Sequence, residues 1–207
     1  MHRISSDKDY YANGKVAIDA DGIPFEPAAK TYVDQRVPID SFAGTGSPEG
    51  TIAAPVGSIY TDTAATNGAI RWVKTNGTGN TGWSVEYGDT GWRNIASLFS
   101  HLTSNTSSDR MSIMRSGNIV QLVVHSVAFD KSAVESGSQI FTLPVGFRPG
   151  RAFRHPIAAP SINLDLSAAT GRVLTYGSTI ELGASVSFEL SWLTNNPWPA
   201  TLPGTPA

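Results

Sequence analysis

The sequence predicts a mainly β protein: an N-terminal extended arm with a short helix, a small β module, and a C-terminal antiparallel β-sandwich of jelly-roll-like type. Three observations carry this. The 207 residues include 20 glycines and 13 prolines, with abundant serine and threonine, a composition of strands and turns poor in helix formers. Charged residues are only 15% of the chain, against about 25% in a typical domain. Short segments of alternating apolar and polar residues recur between turn signals, the pattern of an antiparallel sandwich or barrel.

Residues 1–40 read as the arm. Asn13-Gly14 and Asp21-Gly22 are turn dipeptides. A helix is predicted over 27–37: Pro27 suits the first helical position, Ala28, Ala29, Tyr32, Val33 and Arg36 follow at near-helical spacing, and Pro38 stops it. So short a helix must pack on something.

Residues 41–95 form the small β module, with strands predicted at 57–61, 69–74 and 83–87. In the last of these, alternation places Trp83, Val85 and Tyr87 on one face. Its few aliphatic residues make a thin core, and with no cysteine for a disulfide the remaining staple is oligomerisation. Residues 96–108 read as a linker. Ile95, Leu98, Phe99 and Leu102 have the spacing of a short amphipathic helix, and 103–108 is a Ser/Thr/Asn run.

Residues 109–207 carry the strongest strands. A hairpin over 111–129 turns at Ser116-Gly117-Asn118, and its second arm is apolar on both faces, as in a central strand. Ile162, Leu164 and Leu166 alternate with Asn163 and Asp165. A further hairpin is predicted at Gly177-Ser178, between 173–176 and 179–182. In the last strand Val186, Phe188, Leu190 and Trp192 face inward. The Pro-rich tail after it cannot continue a ladder, because proline has no N–H.

Several function classes are excluded or unsupported. A net charge of −2 gives no excess of cations for a nucleic-acid partner. No run of 18 apolar residues predicts a membrane span, and no hydrophobic stretch follows the N-terminus as in a secretory signal. The absence of cysteine removes cysteine nucleophiles and Cys-ligated metals. His2, His101, His125 and His155 show no metal-ligand spacing; His125 reads as a core or subunit-interface residue. Asp19-Ala20-Asp21-Gly22 begins like a calcium loop, but Ile23 and Lys30 stand where ligands are needed, so it reads as a turn. No G-x-S-x-G elbow or HExxH is present. No catalytic residue, cofactor or metal is predicted.

Gly46-Ser47-Pro48-Glu49-Gly50, the run from Ala54 through Ile59-Tyr60-Thr61-Asp62, Gly68-Ala69-Ile70-Arg71-Trp72-Val73-Lys74, Gly77-Thr78-Gly79-Asn80-Thr81-Gly82-Trp83 and Tyr87-Gly88-Asp89-Thr90-Gly91-Trp92-Arg93 together resemble a module of actinobacteriophage minor tail proteins. Leu143-Pro144-Val145-Gly146-Phe147-Arg148-Pro149 and the ending from Ser191-Trp192 through Trp198-Pro199 to Leu202-Pro203-Gly204 resemble their β-sandwich tips. The resemblance covers roughly residues 44–204. It implies an intertwined homotrimer in a phage virion, assembled in the host cytoplasm and exposed on the particle. Residues 1–40 would anchor it to other phage structural proteins, and a distal tip would contact the host surface. Because the chain has almost no shaft, a capsid decoration or head-fibre trimer is the alternative, and a short polysaccharide depolymerase is a third reading.

In that setting Arg148, Arg151 and Arg154, beside His155, form the one dense basic segment. Arginine forks suit phosphate or uronate groups of a host cell-wall glycan. The plainer reading is a solvated loop or an inter-subunit salt bridge. Among the tryptophans, Trp83 and Trp192 lie on apolar strand faces and read as core. Trp198, in the Pro-rich tail, reads as partly exposed and available to a surface ligand, or as a staple for that tail.

Overall fold

The structure, a computed structural model, describes residues 3–4, 10–12, 15–18, 40–101, 110–129, 132–157 and 161–207. It is mainly β, with several antiparallel sheets. The chain divides into two compact units, Met1–Pro38 and Ile39–Ala207. In the first, strands β1 (Arg3–Ile4), β2 (Tyr10–Ala12) and β3 (Lys15–Ile18) pair antiparallel in that order. These strands were not expected. The predicted helix 27–37, the segment 19–22 and the run 103–108 lie outside the described residues.

The second unit begins with a four-stranded sheet: β4 (Ser41–Gly44), β5 (Ile59–Asp62), β6 (Ala69–Lys74) and β7 (Trp83–Gly88), in that order. β4 pairs parallel to β5, and the other pairs are antiparallel. The predicted face of Trp83, Val85 and Tyr87 is not kept. Arg71 pairs with Tyr87 but Trp72 with Val85, so Glu86 is an extra residue in β7. Such a bulge reverses the alternation beyond it. Tyr87 is therefore 61% exposed, and Arg71 and Glu86 form a surface ion pair at 2.7 Å. The core of this sheet is Ala54, Tyr60, Ala69, Trp72 and Trp83, joined by Trp198 from the far end of the chain.

After β8 (Arg93–Asn94) comes a single 3₁₀ turn, Ala96–Leu98, in place of the expected amphipathic helix. Ile95 and Phe99 on either side of it are buried. β9 (Met111–Ser116) and β10 (Ile119–Ala128) form the predicted hairpin, and β10 is central, between β9 and β15 (Ser185–Leu193). The core reading of His125 is corrected. The β10–β15 register slips between Val124 and Val127, and Ser126 takes φ +51. Val124 and Val127 thus both reach the core, while His125 is exposed.

A second sheet runs β11 (Gln139–Thr142), β14 (Arg172–Gly177), β13 (Ile162–Leu166), β12 (Phe153–Pro156). The hairpin expected at Gly177-Ser178 does not form. Both edges of β14 are occupied, by β11 and β13, so residues 179–182 leave the sheet and make only a bridge from Ile180 to Val134. Gly177 is required where the chain turns away: at φ +108, a Cβ would lie 1.6 Å from the Ser161 carbonyl oxygen. The five-stranded sheet β15-β10-β9-β8-β16, closed by β16 (Thr205–Pro206), and this four-stranded sheet contribute to one apolar core. Leu122, Val124, Phe188 and Leu190 come from one sheet; Ile140, Leu164, Leu166 and Val173 come from the other.

Asp62 ends β5 as a buried acid. Its Oδ1 accepts N–H groups of Gly46 and Ala64, each at 2.9 Å. Burial pushes this carboxyl up, but the N–H donors of Gly46, Ala65 and Ala64 outweigh it and hold it below the ordinary carboxylate range. A pKa lowered by folding stabilises the protein above the unfolded value of about 3.9, and that stabilisation is lost as pH falls through the folded value. Urea unfolding should therefore find Asp62→Asn about 1–3 kcal/mol less stable than the parent at pH 7. The difference should shrink toward pH 3; one that persists unchanged at pH 3 would show that the carboxylate charge is not what matters.

Candidate functional site

The site begins with Arg115. Alternation along β9 puts Met111, Ile113 and Arg115 on the core face, and Arg115 is only 3% exposed. No carboxylate pairs with it among the described residues. Its guanidinium is answered by backbone carbonyls. Nε donates to Gly117 at 2.9 Å. One terminal nitrogen donates to Gly146 at 2.6 Å and Pro197 at 2.9 Å, and the other to Asn196 at 3.1 Å. Burial pulls its pKa down to about 10, so it stays charged at neutral pH. Four hydrogen bonds to carbonyl oxygens use most of its five N–H donors and draw together the β9–β10 turn, the loop at Gly146 and the chain after β15.

Against the guanidinium lies the Trp198 ring, 4.8 Å away, a desolvated stacking worth about 2 kcal/mol. The Trp198 indole N–H donates to the Asn67 carbonyl at 2.9 Å, and the Asn67 amide donates to the Pro199 carbonyl at 2.9 Å. The seat needs Gly88, where a Cβ would lie 2.8 Å from the ring. The expectation of a partly exposed Trp198 is thus corrected: the residue is 9% exposed and staples the Pro-rich tail into the core of the β4–β7 sheet.

Beside this staple opens a cleft of about 600 Å³. Its floor is Trp72, Trp83, Trp198 and Val85; its rim includes Ser47, Ser84, Asn118, Asn195 and Pro197. Glu49 is the only acid lining it among the described residues. That carboxylate is already engaged, accepting the N–H of Gly82 at 3.1 Å and of Trp83 at 2.7 Å. No group of three or more potential metal ligands occurs among the described residues.

The basic segment does not converge on this cleft. Arg148 is half-buried and donates to the carbonyls of Leu143 at 3.3 Å and Ala169 at 2.9 Å. Arg154 pairs with Asp165 at 2.9 Å and stacks on Tyr176 at 4.7 Å. Its neighbour His155 points to the opposite face of β12. Arg151 is exposed. Sequence reasoning missed Arg115, although its signal was present in the alternation Met111, Ile113, Arg115. Nothing local in the sequence singles out Trp72, Asn118 or Asn195 as parts of a site.

Arg115→Met should strand the carbonyls of Gly117, Gly146, Asn196 and Pro197 and lower stability by about 3–5 kcal/mol in chemical denaturation. Arg115→Lys should recover less than half of that, because a single ammonium cannot reach all four. Full stability in the lysine variant would refute the forked arrangement. Comparison with protein-family models, with curated proteins and with solved structures finds no match to this chain.

Proposed function

We propose that this chain is a non-enzymatic structural protein of a phage virion, associated with the tail, whose distal part attaches the particle to the host cell surface. One observation carries the reading. Beside the staple lies a tryptophan-floored, amide-rimmed cleft of about 600 Å³ whose one acid among the described residues accepts backbone N–H groups. That is equipment for holding a ligand. The sequence resemblance over residues 44–204 supports the virion setting. The core shared by the five- and four-stranded sheets supports a jelly-roll-like β-sandwich for the C-terminal region.

In this reading residues 1–40 dock the chain to other virion proteins, and three copies share one axis. Three weak contacts to a repeating surface polymer then add through effective concentration, so each need only be millimolar. The committed side chains of Arg148 and Arg154 make the basic segment a structural feature.

Immunogold electron microscopy of intact particles, with antibody raised against the full chain, tests the location. Label at the tail end is expected; label over the capsid would replace this reading with the decoration trimer, and unlabelled particles would end both. Attachment of the purified protein to host cells should survive the Arg151→Ala/Arg154→Ala double substitution within about twofold, as expected for exposed charges that contribute little. Loss of attachment would return the basic segment to the binding surface.

A further inference from the structure

We infer that the cleft beside Trp198 binds a neutral oligosaccharide, read by the side-chain amides of Asn118 and Asn195 over the tryptophan floor. This rests on the binding reading of the cleft given above and names its ligand class.

The charge balance selects a neutral ligand. The cation at the cleft, Arg115, is answered by four carbonyls, and the acid, Glu49, by two N–H groups. Arg115 has no fork free for a phosphate or carboxylate, and each Glu49 oxygen already accepts one N–H, so the cleft offers no uncommitted charge to select an ion.

The wall chemistry selects side-chain readout. Along 194–197 the backbone is largely committed. Thr194 N–H donates to the Asn118 carbonyl, and Asn196 N–H to the Thr194 hydroxyl. The carbonyls of Asn196 and Pro197 face Arg115, and Pro197 has no N–H. An extended peptide would find no ladder there. Asn118 and Asn195, by contrast, are exposed, and their amides make no hydrogen bond among the described residues. Each amide offers two donors and an acceptor. An apolar aromatic base under a rim of neutral donors and acceptors matches a sugar, which alternates C–H patches with hydroxyl groups. The volume of about 600 Å³ lies in the range of small-molecule sites.

The test is an array of neutral oligosaccharides, N-acetylated members included, beside anionic ones, probed with the full chain at low and high salt. Signal on neutral members that is insensitive to salt is expected. Asn118→Ala/Asn195→Ala should reduce it about tenfold or more through lost hydrogen bonds while moving the unfolding midpoint little, since neither amide makes a hydrogen bond among the described residues and only that of Asn195 packs on another segment, beside Gly150. Signal confined to anionic members, no signal at all, or neutral signal that survives the double substitution would overturn the inference. Cell attachment that persists without any neutral-glycan signal would sink this inference and leave the attachment reading standing. Neutral-glycan binding by a chain that labels no particle would do the reverse.

Discussion

A buried charge with no carboxylate paired to it among the described residues organises the Ile39–Ala207 unit. Removing an arginine from water costs several kcal/mol, and that cost is met only if its donors find acceptors. Arg115 finds them on three separate segments, so those segments must stay where they are. The turn after β9, the Gly146 loop and the chain after β15 are thereby held at one end of the apolar core. Trp198 then closes over the guanidinium, and its indole reaches Asn67 in the turn between β5 and β6. The cleft is what remains open beside this knot.

The same device recurs on a smaller scale. Lys74 is 1% exposed, and its ammonium donates to the carbonyls of Gly79 and Thr81, with the Trp83 ring 5.8 Å away. It stitches the Gly/Thr/Asn loop onto β6. Asp62 and Glu49 do the converse, collecting backbone N–H groups. Side-chain charge here is spent on ordering loops, which suits a chain with few charges and many turns. The only two ion pairs described, Arg71–Glu86 and Arg154–Asp165, lie at the surface, where such pairs contribute little.

Strands whose environment is simple were legible in the sequence. β13 and β15 alternate strictly, and their inward residues are those the pattern names. Legibility fails where a partner strand decides. A bulge in β7 turned Tyr87 outward, and the slip in β10 turned Val127 inward, off the face of His125, because each extra residue is set by the register of a neighbour. Residues 179–182 look like a strand, yet the edge they would pair with is taken. At the site, the inward place of Trp83 was readable and the burial of Trp198 was not, since the carbonyl that fixes its indole lies 131 positions away. Arg115 sits on a readable inward position, but a cation there makes sense only once the carbonyls of distant loops are in view.

The tail staple also orders events in time. The hydrophobic cluster under β6 and β7 is incomplete until Trp198 arrives, and Trp198 is made long after the strands it packs on. During synthesis, Trp72 and Trp83 must therefore wait without their last neighbour while the second apolar core is still being extended. Contacts that distant close slowly, because the loop entropy is lost before the contact returns anything. Trp198 finishes a cluster begun near residue 42, so the β4–β7 sheet completes its packing only once the chain after β15 has docked.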